Sequence, residues 1–291
     1  MVYETGKLAL ISFFTAIITF TYCEYAVCNN WVIKFISDLQ SCNAHFWHLP
    51  NYIISRLFIK LIFKNSLNQV AHRSFFLGYT FSFGVLLYLT AKPSWKIFGI
   101  YTTVMSTFHL TEFLAIAFTN PAAVSIKSFF INHSTAYTVA AILSWIEFLI
   151  ERYCFLFMKQ NFFITFIGIL LCFFGEIMRK LAIFTAKRNF NHVVQVKKAS
   201  HHTLVTHGVY AICRHPSYCG WFYWSIGTQL ILQNPICFIF YAIMSWRFFN
   251  ERVVAEEISL IRFFGPSYID YQKKVRTGLP FIDGYTELSN E

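Results

Sequence analysis

The sequence predicts an all-α polytopic membrane protein of about eight transmembrane helices, the last two forming a C-terminal hairpin. Three observations carry that expectation. Of 291 residues, 56% are hydrophobic and only 13% charged, far from the average of a soluble domain. Apolar runs recur at 8–26, 75–89, 97–118, 136–150 and 162–184, several near the roughly 20 residues that cross a hydrocarbon core as a helix. Two further apolar arms, 218–232 and 236–249, are joined by Gln233, Asn234 and Pro235, and proline after asparagine suits a turn that opens a helix.

The first run follows Lys7 and ends near Ala26, an arrangement that a signal peptide shares. Its length and the absence of a clean small-residue cleavage site favour a retained helix. The segment 52–63 is shorter and carries Arg56 and Lys60, which share one helical side at i, i+4. It reads as tilted with snorkelling ends or as interfacial, a weak sixth span. Glu24, His109, Glu112, Glu147, Glu151 and Arg152 fall within or at the ends of apolar runs. Ionisable groups are costly there, so they serve either as contacts between helices or in function. The first reading is preferred. The eight cysteines, Cys28 and Cys42 among them, show no paired spacing, and no disulfide framework is expected.

Residues 185–213 break the apolar pattern with cations, four histidines and short valine-rich pieces. This segment reads as a cytosol-facing excursion, and the boundary near Lys187 divides the chain. Residues 1–184 form a membrane scaffold and lipid tunnel, and residues 185–291 a catalytic region of loop, hairpin and C-terminal helix. The formal net charge of +10 gathers behind residue 186. A nucleic-acid surface would be basic too, but the spans make a cytosolic face beside anionic lipid the better reading, with no nucleic-acid partner. Hairpin arms of about 15 residues reach roughly 22 Å at 1.5 Å per residue, short of a core of about 30 Å unless their polar ends extend them.

Those polar ends are where chemistry could reside. In WRFFNERVVAEEISLIRFFG, Arg247 and Glu251 are four apart, as are Arg252 and Glu256, with Glu257 next. Alone, two such stripes are solvated salt bridges. Tyr210, Arg214, His215 and Tyr218 approach from the other arm, and this convergence favours a site. Pro216 fixes a turn, and Gly220 permits close backbone approach, features suited to wrapping amides around a ligand. His201, His202, His207, Cys213 and His215 crowd together but lack the usual zinc spacings, and no metal is expected. No G-x-S-x-G elbow, phosphate-cradling loop or dinucleotide fingerprint is present.

The stretches HGVYAICRHPSYCGWFYWSIGTQLILQNP and EEISLIRFFGPSYIDYQKKVRTGLPFI closely resemble the eukaryotic isoprenylcysteine carboxyl methyltransferases of the endoplasmic reticulum. The strong match covers roughly residues 185–283. The RHPxYxG piece alone is shared with phospholipid methyltransferases and resembles the tail of sterol reductases; RTGLPFI together with EEISLI narrows the choice.

The resemblance implies a multi-pass enzyme of the endoplasmic reticulum with a cytosol-facing cofactor pocket. Its implied reaction is S-adenosylmethionine-dependent methylation of the C-terminal carboxylate of a farnesylated or geranylgeranylated cysteine, as in small GTPases, with S-adenosylhomocysteine as product. It assigns cofactor contacts to Gln195, His202, Thr203, Leu204, Val205, Tyr210, His215, Pro216, Ser217, Tyr218 and Glu256, and the substrate to Arg252. Arg252 suits a bidentate grip on a carboxylate, and Arg247 and Glu251 stand behind it as candidate supports. A free α-carboxylate, with a pKa of about 3.5, needs no general base. Competing readings are a phospholipid N-methyltransferase or sterol-reductase-like enzyme of the same superfamily, and a non-enzymatic membrane receptor or channel.

Overall fold

The computed structural model describes residues 2–28, 48–131, 134–200 and 202–285. Cys42 and His201 lie outside that set, as does the side chain of Cys28. The described chain is helical, with no strand among the described residues. Its main helices are α1 (Val2–Cys28), α2 (His48–Ile62), α3 (Asn65–Thr90), α4 (Pro93–Thr119), α5 (Thr135–Cys154), α6 (Phe162–Ala186), α7 (Pro216–Leu232), α8 (Pro235–Phe264) and α9 (Pro266–Lys274). Two stretches, Glu4–Tyr25 and Phe162–Asn189, are long and uniformly apolar enough to cross a membrane by length and composition. Polar positions interrupt the other long helices.

The helices form two compact units. The first comprises Met1–Phe118 and Val124–Ile131, the second Thr119–Ala123 and Asn132–Glu291. Thus α5 and α6 fold with the hairpin, and Lys187 marks where the chain leaves α6 for the loop. In the first unit α1 packs on α3 and α4 through Ala9, Phe13, Leu77, Leu110 and Phe113. Polar groups stitch these helices together. Glu24 of α1 lies 2.5 Å from His48 Nε2, whose ring stacks on Phe20, and His109 Nδ1 donates to the Phe129 carbonyl at 2.8 Å. Both match the preferred reading of intramembrane polar groups as contacts between helices.

In the second unit α6 and α7 run antiparallel with their glycines face to face. A Cβ on Gly175 would strike the Gly220 carbonyl oxygen, and one on Gly168 would meet Ile231 N and the Gly227 carbonyl. Small residues bring the two backbones together, the usual means of helix association in lipid. Gly220 therefore serves this contact with α6 rather than a ligand, a correction to the sequence reading.

The hairpin turn is as expected: α7 ends at Leu232, Gln233 takes the left-handed conformation, and Pro235 opens α8. A buried lock holds it. Lys159 Nζ donates at 2.8 Å to the carbonyls of Leu232 and Gln233 and to Asn234 Oδ1, and pairs with Glu151 at 2.5 Å. Both Glu147 oxygens accept from the first free amides of α8, Ile236 N at 2.8 Å and Cys237 N at 2.7 Å, where a carboxylate also complements the helix dipole. The outward faces of α5, α6 and α8 are covered by large apolar side chains, Leu149, Phe166, Phe173 and Phe240 among them. Such continuous apolar exposure suits lipid.

Candidate active site

At the opposite end of the hairpin, His215 caps the start of α7 and Pro216 occupies the first helical position, where a missing N–H is harmless. The His215 ring is buried between two carboxylates of α8, with Nε2 3.1 Å from Glu257 Oε1 and Nδ1 3.5 Å from Glu256 Oε2. Burial disfavours the imidazolium, but hydrogen bonds to Glu256 and Glu257 outweigh it and raise the His215 pKa to about 9. Burial likewise opposes ionisation of both glutamates, yet His215 holds each below the ordinary carboxylate value, helped by Tyr218 and Arg252 at Glu256 and by Arg214 at Glu257. Near neutral pH the trio is one cation between two anions.

The two glutamates differ in what else they touch. Glu257 is fully buried and saturated. Its Oε1 also accepts from Arg214 Nε at 2.8 Å and Tyr268 OH at 3.1 Å, and its Oε2 from Gln272 Nε2 at 3.1 Å and Tyr285 N at 2.7 Å. Arg214 is equally committed, donating to the carbonyls of Gln272, Val275 and Asp283. Together they fasten a C-terminal strap, residues 275–285, across the mouth of the hairpin. Backbone bonds continue the seam, from Arg214 N to the Arg276 carbonyl at 2.8 Å and from His215 N to that of Thr277 at 3.1 Å. The Glu256 side chain, by contrast, keeps 32% of its surface exposed.

Arg252 sits one turn before Glu256. Its Nε donates to Tyr218 OH at 3.1 Å, its Nη2 to the His192 carbonyl, and its guanidinium lies 5.7 Å from the ring centres of both Tyr218 and Phe248. Tyr218 in turn stacks on His215 at 2° between ring planes. Ser217 accepts from Arg179 of α6 at 2.7 Å, and that guanidinium lies 4.5 Å from the Trp221 ring centre. Tyr210 donates weakly to the Ala182 carbonyl at 3.5 Å, and its own carbonyl accepts from Tyr271 OH at 2.5 Å.

The loop residues divide into two groups. Asn189 pins Thr203 in both directions, its Oδ1 accepting from Thr203 N at 2.9 Å and its Nδ2 donating to Thr203 Oγ1 at 3.2 Å. Thr203, Leu204 and Val205 line an open cavity of about 720 Å³ with Lys187, Arg188 and His207. Leu204 also packs beside Tyr268 and Tyr271, which joins this stretch to α9, the helix that leads into the strap. Gln195 bonds within its own turn, to the Val193 carbonyl at 2.9 Å, and His202 Nδ1 accepts from Ala199 N at 3.2 Å; neither bond reaches the His215 cluster.

Arg247 and Glu251 stand apart from this cluster. They pair with each other at 3.1 Å with side chains 73% and 67% exposed and join neither Arg252 nor Glu256. Helical phase explains this, since nine and five residues at 100° each put them about 180° and 140° around α8 from Glu256. The sequence reading passed over Arg179 and Asn189, and it named Arg214 and Glu257 without pairing them. The doubled carboxylate of the EE pair was the available signal for that pairing.

The fold and this cluster define a helical membrane protein with a polar, partly open site where a hairpin meets its C-terminal strap. The sequence profile of the isoprenylcysteine carboxyl methyltransferase (ICMT) family matches residues 167–262. The protein-S-isoprenylcysteine O-methyltransferase of Tribolium castaneum is 46% identical over 98% of this chain and 99% of its own, and that of Homo sapiens is 52% identical over 77% of this chain and 78% of its own. A solved structure of a eukaryotic intramembrane Ras methyltransferase superposes with a TM-score of 0.87 at 46% identity, covering 97% of this chain and 99% of that one. The chain belongs to the isoprenylcysteine carboxyl methyltransferase family.

Proposed function

We propose that this enzyme methylates the C-terminal carboxylate of a prenylated cysteine, with S-adenosylmethionine as donor and S-adenosylhomocysteine as product. The observation that carries the reading is the split between the two glutamates. Glu257 is consumed by structure, which leaves an ionised, partly exposed Glu256 beside a guanidinium one turn away.

The residues fit the donor. Glu256 can receive an ammonium or hydroxyl group, while His215, Pro216, Ser217 and Tyr218 present the first turn of α7 beside it. Thr203, Leu204 and Val205 offer a cavity wall, and Tyr210 lies near Tyr271. Gln195 and His202 would join only if their loop closes further. When bound, the donor supplies a methyl group on a sulfonium.

Arg252 orients the substrate carboxylate. Its Nη1 has no partner among the described residues, and the Tyr218 and Phe248 rings hold its plane. A carboxylate needs no deprotonation at neutral pH, so the protein's contribution is to exclude water from an anion and a cation and keep oxygen, methyl and sulfur in line. Too tight a grip would blunt the nucleophile, which makes positioning the role of Arg252. The prenyl chain would lie among the apolar faces of the membrane helices, about eight spans in all. Farnesylated and geranylgeranylated proteins such as small GTPases are the proposed substrates, at the endoplasmic reticulum with the site toward the cytosol, where the basic residues gather.

Methyl transfer from labelled S-adenosylmethionine to N-acetyl-farnesylcysteine, with unprenylated N-acetyl-cysteine and phosphatidylethanolamine in parallel, tests this. Base-labile label on the farnesylated acceptor alone is expected. Label on the phospholipid alone would move the enzyme to the N-methyltransferases.

A further inference from the structure

The strap that closes the site carries an aromatic residue that neither the cluster nor the core uses. Phe281 is 93% exposed and sits at φ 58°, a left-handed conformation that a residue with a Cβ adopts at a cost. Its neighbours are fixed. Leu279 and Ile282 are buried in the cluster formed with Phe222, Ile226, Phe249 and Val253, and the Pro280 carbonyl accepts from Trp246 Nε1 at 2.8 Å. A strained, rigidly mounted and fully outward phenylalanine is an outlier that calls for a function.

Its surroundings say what it faces. On the outer side of α8 the exposed residues are apolar at Ile239, Phe240, Ile243 and Met244 and become charged at Arg247 and Glu251. Trp246 stands at that change, where tryptophan is favoured at membrane–water boundaries. On α6 the exposed apolar face runs on to Phe184, well past Gly175, which packs on Gly220 near the start of α7. The level of the Trp246–Pro280 bond is thus continuous with the lipid-facing surface.

We propose that Phe281 is a wedge that inserts into the bilayer interface on the site's side of the membrane, with Trp246 bracing it. Through Arg276 and Thr277, whose carbonyls bind the amides of Arg214 and His215, the wedge ties one wall of the active site to the lipid surface. The proposal rests on the membrane setting of the family, not on the identity of the acceptor.

The test places a benzophenone amino acid at Phe281, at Asp283 and at Phe240 of the full chain in phospholipid nanodiscs, followed by irradiation and intact-mass analysis. Position 281 is expected to give lipid adducts at the level of position 240 and several-fold above position 283. A yield at 281 no higher than at 283, or a crosslink to a second copy of the chain in place of lipid, overturns the proposal. Phe281→Gly supplies an independent check. Because it relieves the backbone and removes no protein packing, its melting temperature in detergent should equal or exceed the parent's; a fall would show that Phe281 packs on protein and defeat the wedge.

Discussion

The two ends of one hairpin hold similar chemistry to different ends. At the turn, Lys159 and Glu151 form a buried ion pair, and the three Lys159 hydrogen bonds go to two backbone carbonyls and to Asn234. At the mouth, Arg214 and Glu257 repeat that saturation, but one residue away Glu256 keeps an exposed face. Buried charge that is fully partnered fixes geometry, whereas charge partnered on one side only is available to a ligand. The contrast also separates neighbours on one helix that composition treats as equal.

The hardest blow to this comparison would fall at the turn. Lys159→Met leaves the Glu151 carboxylate buried without its cation and strands the two carbonyls that end α7, so a loss of about 3–5 kcal/mol is expected. The measurement is thermal or denaturant unfolding in detergent. A variant that melts like the parent would show that saturation at the turn is decoration.

At the mouth the prediction reverses. Arg252→Lys replaces a planar fork held by two rings with a point charge, and is expected to lower kcat/KM about ten- to a hundredfold, as the loss of one or two charge-assisted hydrogen bonds of about 1.5–3 kcal/mol implies. The melting temperature should stay near the parent's, because Arg252 is only half-buried. A large fall in stability with intact activity would invert the roles of the two ends.

The imidazolium between Glu256 and Glu257 adds a pH signature to the mouth alone. The folded pKa of His215, about 9, lies above its unfolded value of about 6.5, so its stabilisation is complete below about pH 6.5 and is lost as pH rises through about 9. The depressed glutamates act in the opposite sense: their contribution is present above about pH 4.3 and is lost as pH falls through their lowered values. Stability should therefore decline between about pH 6.5 and 9 in the parent. In His215→Gln that slope should vanish, as read from melting temperatures across the range.

Much of this was legible in the amino-acid sequence. Asn234 before Pro235 announced the turn, and hairpin topology brought His215 to the i, i+4 pair of Arg252 and Glu256. The lock at the turn was not legible, because Lys159 reaches it from a loop more than 70 residues upstream. Nor was the division of labour between Glu256 and Glu257, which depends on a strap whose return path only the fold supplies. Gly220 was read as room for a ligand because the sequence shows that a backbone can approach closely but not what approaches it.

The smallest expected effect sharpens the comparison most, because it concerns charges that lie near the site in sequence and away from it in space. Arg247 and Glu251 pair only with each other and are largely exposed, so Arg247→Ala and Glu251→Ala should each change stability by about 0.5 kcal/mol or less, in line with a solvated i, i+4 pair. KM for S-adenosylmethionine should not move, since neither side chain shares a face of α8 with Glu256. If either variant instead lost catalysis with its fold intact, the surface of α8 would have to rotate or recruit a partner during turnover. Exposure would then be a poor guide to which charges on this helix the reaction uses. Measured beside Arg252→Lys in the same liposomes, a clean null would place the boundary of the site between two adjacent residues, Glu251 and Arg252.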